Sequence, residues 1–150
     1  MPKITDPTGN SSVQMEAEIA IRELLQSEFK NKLIPKVLTI SEGIHVTVDA
    51  ATPDDSVLIE IFARQGKLLD GQKKKLAKDI LKLAILRENT PKPRVILAFA
   101  NPSIKKHLSE ESWISVAVSH FGIELRDVFN DLDDDLKRRI TSAQKVQGKK

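Results

Sequence analysis

Two acids and a run of lysines have the types and spacing that can do chemistry. Glu60 sits inside Val57-Leu58-Ile59-Glu60-Ile61-Phe62-Ala63, an apolar stretch with one carboxylate in the middle. A carboxylate buried there without a partner is strongly unfavourable, so a metal ion, a lysine or a watered cleft has to compensate it. Asp49 ends the preceding strand-like stretch. Two carboxylates on neighbouring strands suit Mg²⁺, which takes one or two of them and keeps several waters. A metal so held activates water and stabilises a phosphate leaving group. The third component is the basic run Lys73, Lys74, Lys75, Lys78 and Lys82. At about 100° per residue, Gln72, Lys75, Asp79 and Lys82 form one helical stripe, from which Lys75 or Lys82 reaches toward Glu60. Lys73 and Lys74 are expected to face water.

The elements that must position these groups follow from periodicity. Residues 1–11 read as a disordered lead. Val13, Ala17, Ala20, Ile21, Leu24 and Leu25 make the apolar face of a first helix from Val13 to about Lys32, capped by Ser11 or Ser12 and closed before Pro35. Three strands come next, at 36–40, 44–50 and 56–64. Ser41-Glu42-Gly43 and Thr52-Pro53-Asp54-Asp55 separate them as turns, which implies an antiparallel meander. In the second strand Val46 and Val48 point one way, and His45, Thr47 and Asp49 the other. A second helix spans Leu69 to about Glu88, with Leu76, Ile80, Leu83, Ala84 and Ile85 inward. The nearly continuous apolar run from Arg94 to Ala100 reads as a central strand. A short helical stretch opens at Asn101. A helix from Glu110 to His120 follows, anchored by Trp113, Val116 and Val118. The chain closes with a strand at 121–128 and a helix capped by Asn130 and running from Asp131 to about Lys145.

This order, αβββαβ followed by αβα, predicts one α/β domain over 12–146 with a frayed tail at 147–150. A crossover helix joins parallel strands, so the sheet should be mixed, with helices on its faces.

Composition narrows the function classes. Of 150 residues, 24 are basic and 21 acidic, a net charge of +3 that permits a nucleic-acid partner without demanding one. There is no cysteine, which excludes disulfides and thiolate metal sites and suits a reducing cytoplasm. Met1 to Ser12 lacks the apolar core of a signal peptide, and no apolar run is long enough to span a membrane. His45, His107 and His120 have no metal-ligand spacing. Asp131, Asp133, Asp134 and Asp135 complement the dipole of the last helix. No Gly-rich phosphate loop, GxSxG elbow or Cys-His pair occurs.

Asp49, Glu60 and the αβββαβ order together resemble the PD-(D/E)XK nuclease superfamily, the restriction endonuclease-like fold. The resemblance covers roughly residues 13–100. It implies that Asp49 is the second-strand aspartate and Glu60 the acid of the third-strand tripeptide, both ligating Mg²⁺. Glu16 corresponds to the helix glutamate that adds a further ligand, and Gln72 to the glutamine of the following helix. The implied activity is metal-dependent hydrolysis of DNA phosphodiester bonds. The basic clusters, including Lys105, Lys106 and His107, would contact backbone phosphates without reading sequence. Specificity would come from a protein partner or from a homodimer. The tripeptide here is Glu60-Ile61-Phe62, with phenylalanine where the family has lysine. In some relatives that lysine has migrated to a neighbouring element, and here Lys75 or Lys82 could supply it. Two other readings stay open. One is a fold kept as a nucleic-acid or protein binding module after the chemistry was lost. The other is an unrelated mixed α/β domain whose acids are incidental.

Overall fold

The computed structural model describes residues 10–89, 91–109 and 111–148. Most of the expected N-terminal lead, the residue expected to open the helix before Trp113, and the last two residues of the tail lie outside the described residues. The described elements are α1 (Asn10–Glu28), β1 (Ile34–Ser41), β2 (Ile44–Ala51), β3 (Val57–Phe62), α2 (Asp70–Leu86), β4 (Arg94–Phe99), α3 (Pro102–Ser109), α4 (Trp113–His120), β5 (Glu124–Asp127) and α5 (Asp134–Gly148).

The strands form one five-stranded sheet in the order β1-β2-β3-β4-β5. The β1–β2 and β2–β3 pairs are antiparallel, and the β3–β4 and β4–β5 pairs are parallel. This is the mixed α/β sheet the element order implied. Meander strands joined by short turns must run antiparallel, and strands joined through α2, or through α3 and α4, can return parallel. Helices cover both faces. Leu76, Ile80 and Leu83 of α2, Ile104 of α3 and Val118 of α4 pack with Leu58, Phe62 and Leu97 on one face. Val13, Ala17, Ile21 and Leu25 of α1 and Leu136 and Ile140 of α5 pack with Ile59, Ile96 and Ala98 on the other. Among the described residues no helix is long and apolar enough to cross a membrane.

Several local expectations are corrected. α1 ends at Glu28, and Pro35 lies inside β1, an edge strand, where a missing N–H is tolerated. The final helix begins at Asp134: Asp133 Oδ1 accepts the Leu136 N–H and caps it, while Asn130 lies in a 3₁₀ turn over Phe129–Asp131. Ile85 is exposed, because the inward face of α2 continues to Leu86. Trp113, expected in the core, is 75% exposed. Ile114 and Val118, four residues apart, take the inward face of the short α4, which turns Trp113 and Val116 outward.

The strict alternation expected of β2 also fails, at one place that matters. Ile34 of β1 pairs with Ala51, and Lys36 pairs with Val48. Two steps on β1 therefore span three on β2, which is a β-bulge at Asp49–Ala50. Val48 and Ala51 join the α2-side core, and Ala50 joins the α1-side core.

The fully buried Leu83 seats α2 on the sheet. Leu83→Ala is expected to lower stability by roughly 2–5 kcal/mol, read from urea unfolding, as for other buried leucine truncations.

Candidate active site at the β2–β3 fork

The ladder between β2 and β3 consists of Ala50 opposite Ile59 and Ala51 opposite Leu58. On the far side of these pairs the strands part. β2 continues from Ala50 back toward Ile44 paired with β1, and β3 continues through Phe62 paired with β4. Such a fork frees backbone donors and acceptors that must find partners. Two carboxylates and a lysine supply them. The Asp49 N–H donates to Glu60 Oε2 at 3.1 Å, and the Ile61 N–H donates to Asp49 Oδ2 at 2.7 Å. Lys82 Nζ donates to the Thr47 carbonyl at 3.0 Å and to Glu60 Oε1 at 2.9 Å. Asp49 and Glu60 thus bind each other's strands.

The bulge makes this possible. The extra residue breaks the alternation of β2 here, and the Asp49 carboxylate turns to the Ile61 N–H of β3. Arg22 of α1 holds the bulge from the other side. Its Nη1 donates to the Asp49 carbonyl at 2.9 Å, while its Nε and Nη2 donate to Glu18 Oε2 at 3.2 and 3.1 Å.

Glu60 is 3% exposed and Asp79 is 7% exposed, whereas the Lys82 side chain is 24% exposed. Burial pushes the Glu60 carboxyl above its ordinary range, and the Asp49 charge adds to this; the hydrogen bond from Lys82 opposes it. Burial likewise raises Asp79, against the pull of Lys75 and Lys82 and with a further push from Asp49. Three acids therefore share one electrostatic environment with two lysines.

The residues singled out from the sequence separate into two groups. Asp49, Glu60 and Lys82 meet at the fork. Lys75 is exposed, and the acid it acts on is Asp79 rather than Glu60. Gln72 and Glu16 do not join the group. Gln72 Oε1 accepts the Leu69 N–H and closes the first turn of α2. It lies ten residues before Lys82, about 15 Å along the helix axis. Glu16 is held across α1 and α5 by both terminal nitrogens of Arg139, at 2.6 Å each, and this pairing lowers its pKa. Asp79, to which the residue pattern assigns no role, lies within electrostatic range of Lys82 and Asp49. Its place on the Gln72–Lys82 stripe was visible, but burial of that stripe depends on how α2 lies across the fork.

Asp49 Oδ1 accepts no hydrogen bond among the described residues. Each carboxylate oxygen has two acceptor positions, so Glu60 also retains capacity beside its two bonds. This hard-oxygen donor set fits Mg²⁺ or Mn²⁺ with water completing the shell. Among the described residues no three acids or histidines group closely enough to enclose an ion. The fit is thus a two-carboxylate one, with Asp79 acting through its charge. No protein-family model, no curated protein and no solved structure matches the chain.

The sign of the pH effect follows from the two raised acids. In the interval between their ordinary and raised values the folded state holds more protons than the unfolded state, so stability falls as pH rises. Lys82→Met removes the partner that opposes the Glu60 shift. It is expected to cost roughly 3 kcal/mol at pH 7, near the lower end for breaking a buried pair. That cost should shrink as acid neutralises Glu60. Asp79→Asn should raise the melting temperature at pH 7 and lose this advantage on acidification. Urea and thermal unfolding across the pH range check both signs.

Proposed function

We propose that the chain hydrolyses DNA phosphodiester bonds at the β2–β3 fork in a metal-dependent reaction of the PD-(D/E)XK type. The observation that carries the reading is the contact of Lys82 with Glu60 beside Asp49. The amine that Phe62 fails to supply arrives from α2, one element later. Phe62 itself is buried in the core against α2, where an ammonium would be strongly disfavoured.

Asp49 Oδ1 and Glu60 would hold the ion, which when bound supplies Lewis-acid activation of water and of the leaving oxygen. The Lys82 ammonium lies against the buried Glu60 carboxylate, where a fixed positive charge stabilises charge developing on a phosphate. Asp79 adds negative potential that favours a cation and holds the lysines of the stripe nearby. The bulge and Arg22 set the direction of Asp49. A reducing cytoplasm suits the absence of cysteine.

One observation favours a second reading, that of a binding module. Both Glu60 oxygens are already satisfied, by Lys82 and by the Asp49 N–H, so the pair is also stable as a closed structural ion pair.

Supercoiled-plasmid nicking with Mg²⁺ or Mn²⁺ decides between them. The natural chain should nick, and Asp49→Asn, Glu60→Ala and Lys82→Met should each reduce the rate by about 10²-fold or more. Mg²⁺ should raise the melting temperature of the natural chain but not of Asp49→Asn. This metal effect should weaken on acidification, since ligands must be deprotonated and Glu60 titrates above its ordinary range. Nicking that survives Glu60→Ala would overturn the assignment. Absence of both nicking and a Mg²⁺ effect would leave the binding reading.

A further inference from the structure

A second cleft opens beside the N-terminal end of α2, away from the fork. It has a volume of about 300 Å³ and is lined by Lys67, Leu68, Lys73, Ser103, Lys106 and His107. Three separate segments contribute the cations: the connection after β3, the first turns of α2, and α3. Among the described residues no carboxylate lines it. Lys67, Lys73 and Lys106 make no salt bridge among the described residues, whereas Lys36, Lys82, Lys105 and Lys137 are each paired with an acid. Like charges brought together without a counter-charge repel, and an anion seated among them relieves that repulsion.

The walls are fixed in advance by a buried polar network. Asn101 Nδ2 donates to the carbonyls of Arg64 at 2.7 Å and Gly66 at 3.2 Å, and Asn101 Oδ1 accepts the Ser103 N–H at 2.8 Å. Gln144 of α5 adds Nε2 donation to Gly66 O at 2.8 Å and to Asn101 Oδ1 at 3.0 Å. Gly66 adopts a φ of 91°, a left-handed backbone that a side chain would disfavour. The segment that carries Lys67 is therefore tied directly to the start of α3. A cationic seat held this way gives up little entropy on taking its ligand.

We propose that this cleft seats a non-scissile backbone phosphate of the nucleic acid whose cleavage is assigned to the fork; the identity of the ligand rests on that reading. Lys73 and Lys82 are nine residues apart on α2, about 13.5 Å along its axis and, at about 3.6 residues per turn, roughly half a turn apart around it. The seat and the reactive centre thus lie toward opposite ends and on opposite sides of α2, and a nucleic acid that reaches both crosses the helix. The lysines contact phosphate and carry no base readout.

The test is binding of a short fluorescent DNA duplex, and of the same strand alone, by fluorescence anisotropy in EDTA. Salt is varied over about 50–200 mM. The full chain is compared with the triple variant Lys67→Gln/Lys73→Gln/Lys106→Gln and with a control, Lys30→Gln/Lys32→Gln/Lys92→Gln, which removes three exposed charges elsewhere. The cleft variant should bind at least ~10-fold more weakly. The slope of log affinity against log salt should flatten by roughly 0.7–0.9, for the one phosphate that is no longer neutralised. The control should change neither by that amount. Lys73→Glu alone should reproduce the direction, and it guards against a folding defect in the triple variant. Equal weakening in cleft and control variants, or none in either, would overturn the seat. Because EDTA removes the metal, the two readings fail separately. A natural chain that neither nicks nor responds to Mg²⁺, while the cleft variant binds DNA poorly, would sink the nuclease reading and keep the anion seat. A natural chain that nicks while the cleft variant binds DNA unchanged would do the reverse.

Discussion

The parting of β2 from β3 is the constraint on which the site depends. A sheet that forks must satisfy the backbone groups it releases, and here the partners are charged. The Asp49 N–H reaches Glu60, the Ile61 N–H reaches Asp49, and the Thr47 carbonyl accepts a hydrogen bond from Lys82. These bonds make burial of Glu60 tolerable and hold the fork open. A carboxylate that accepts hydrogen bonds from both sides, one of them from an ammonium, is fixed in position as well as compensated. The same interactions therefore serve stability and geometry together.

This arrangement needs both faces of the sheet. α2 brings Lys82 and Asp79 from one side, seated by Leu76, Ile80 and Leu83. α1 reaches the bulge from the other through Arg22, seated by Ala17, Ile21 and Leu25. A packing defect on either face would therefore reach the acids. The electrostatics remain unbalanced even with Lys82 in place, since burial still leaves Glu60 and Asp79 with raised pKa values. Titratable groups perturbed in this way concentrate at functional sites, because a ligand of opposite charge relieves them.

α2 also links two regions of opposite character. Toward its C-terminal half lie buried acids that favour a cation. Beside its N-terminal turns lies a cleft of lysines that favours an anion. A polyanion with bound divalent cations is complementary to both. The outer side of the helix is different again: Lys74, Lys78 and Leu81 border an apolar hollow with Trp113 and Phe121.

The order of elements, the mixed sheet and the two acids most worth attention were all legible in the chain of residues. Local rules suffice for these. Apolar periods mark α1 and α2, the turns after β1 and β2 force antiparallel pairing, a crossover helix permits parallel return, and a lone glutamate in an apolar strand demands compensation. Which partners the acids receive was settled only by packing at long range. Alternation within β2 does not foresee the bulge, a mismatch between two strands, beside which Asp49 meets Ile61 and Glu60. Spacing offered Lys75 and Lys82 equally, and the rotation of α2 over the fork chose Lys82. Gln72 and Glu16 matched a pattern by type, yet a helix turn and Arg139 claim them. Trp113 looked like core because it is apolar, but a two-turn helix can bury only one side. In each case the sequence specified the group, while its environment came from segments distant in the chain, which no local period encodes.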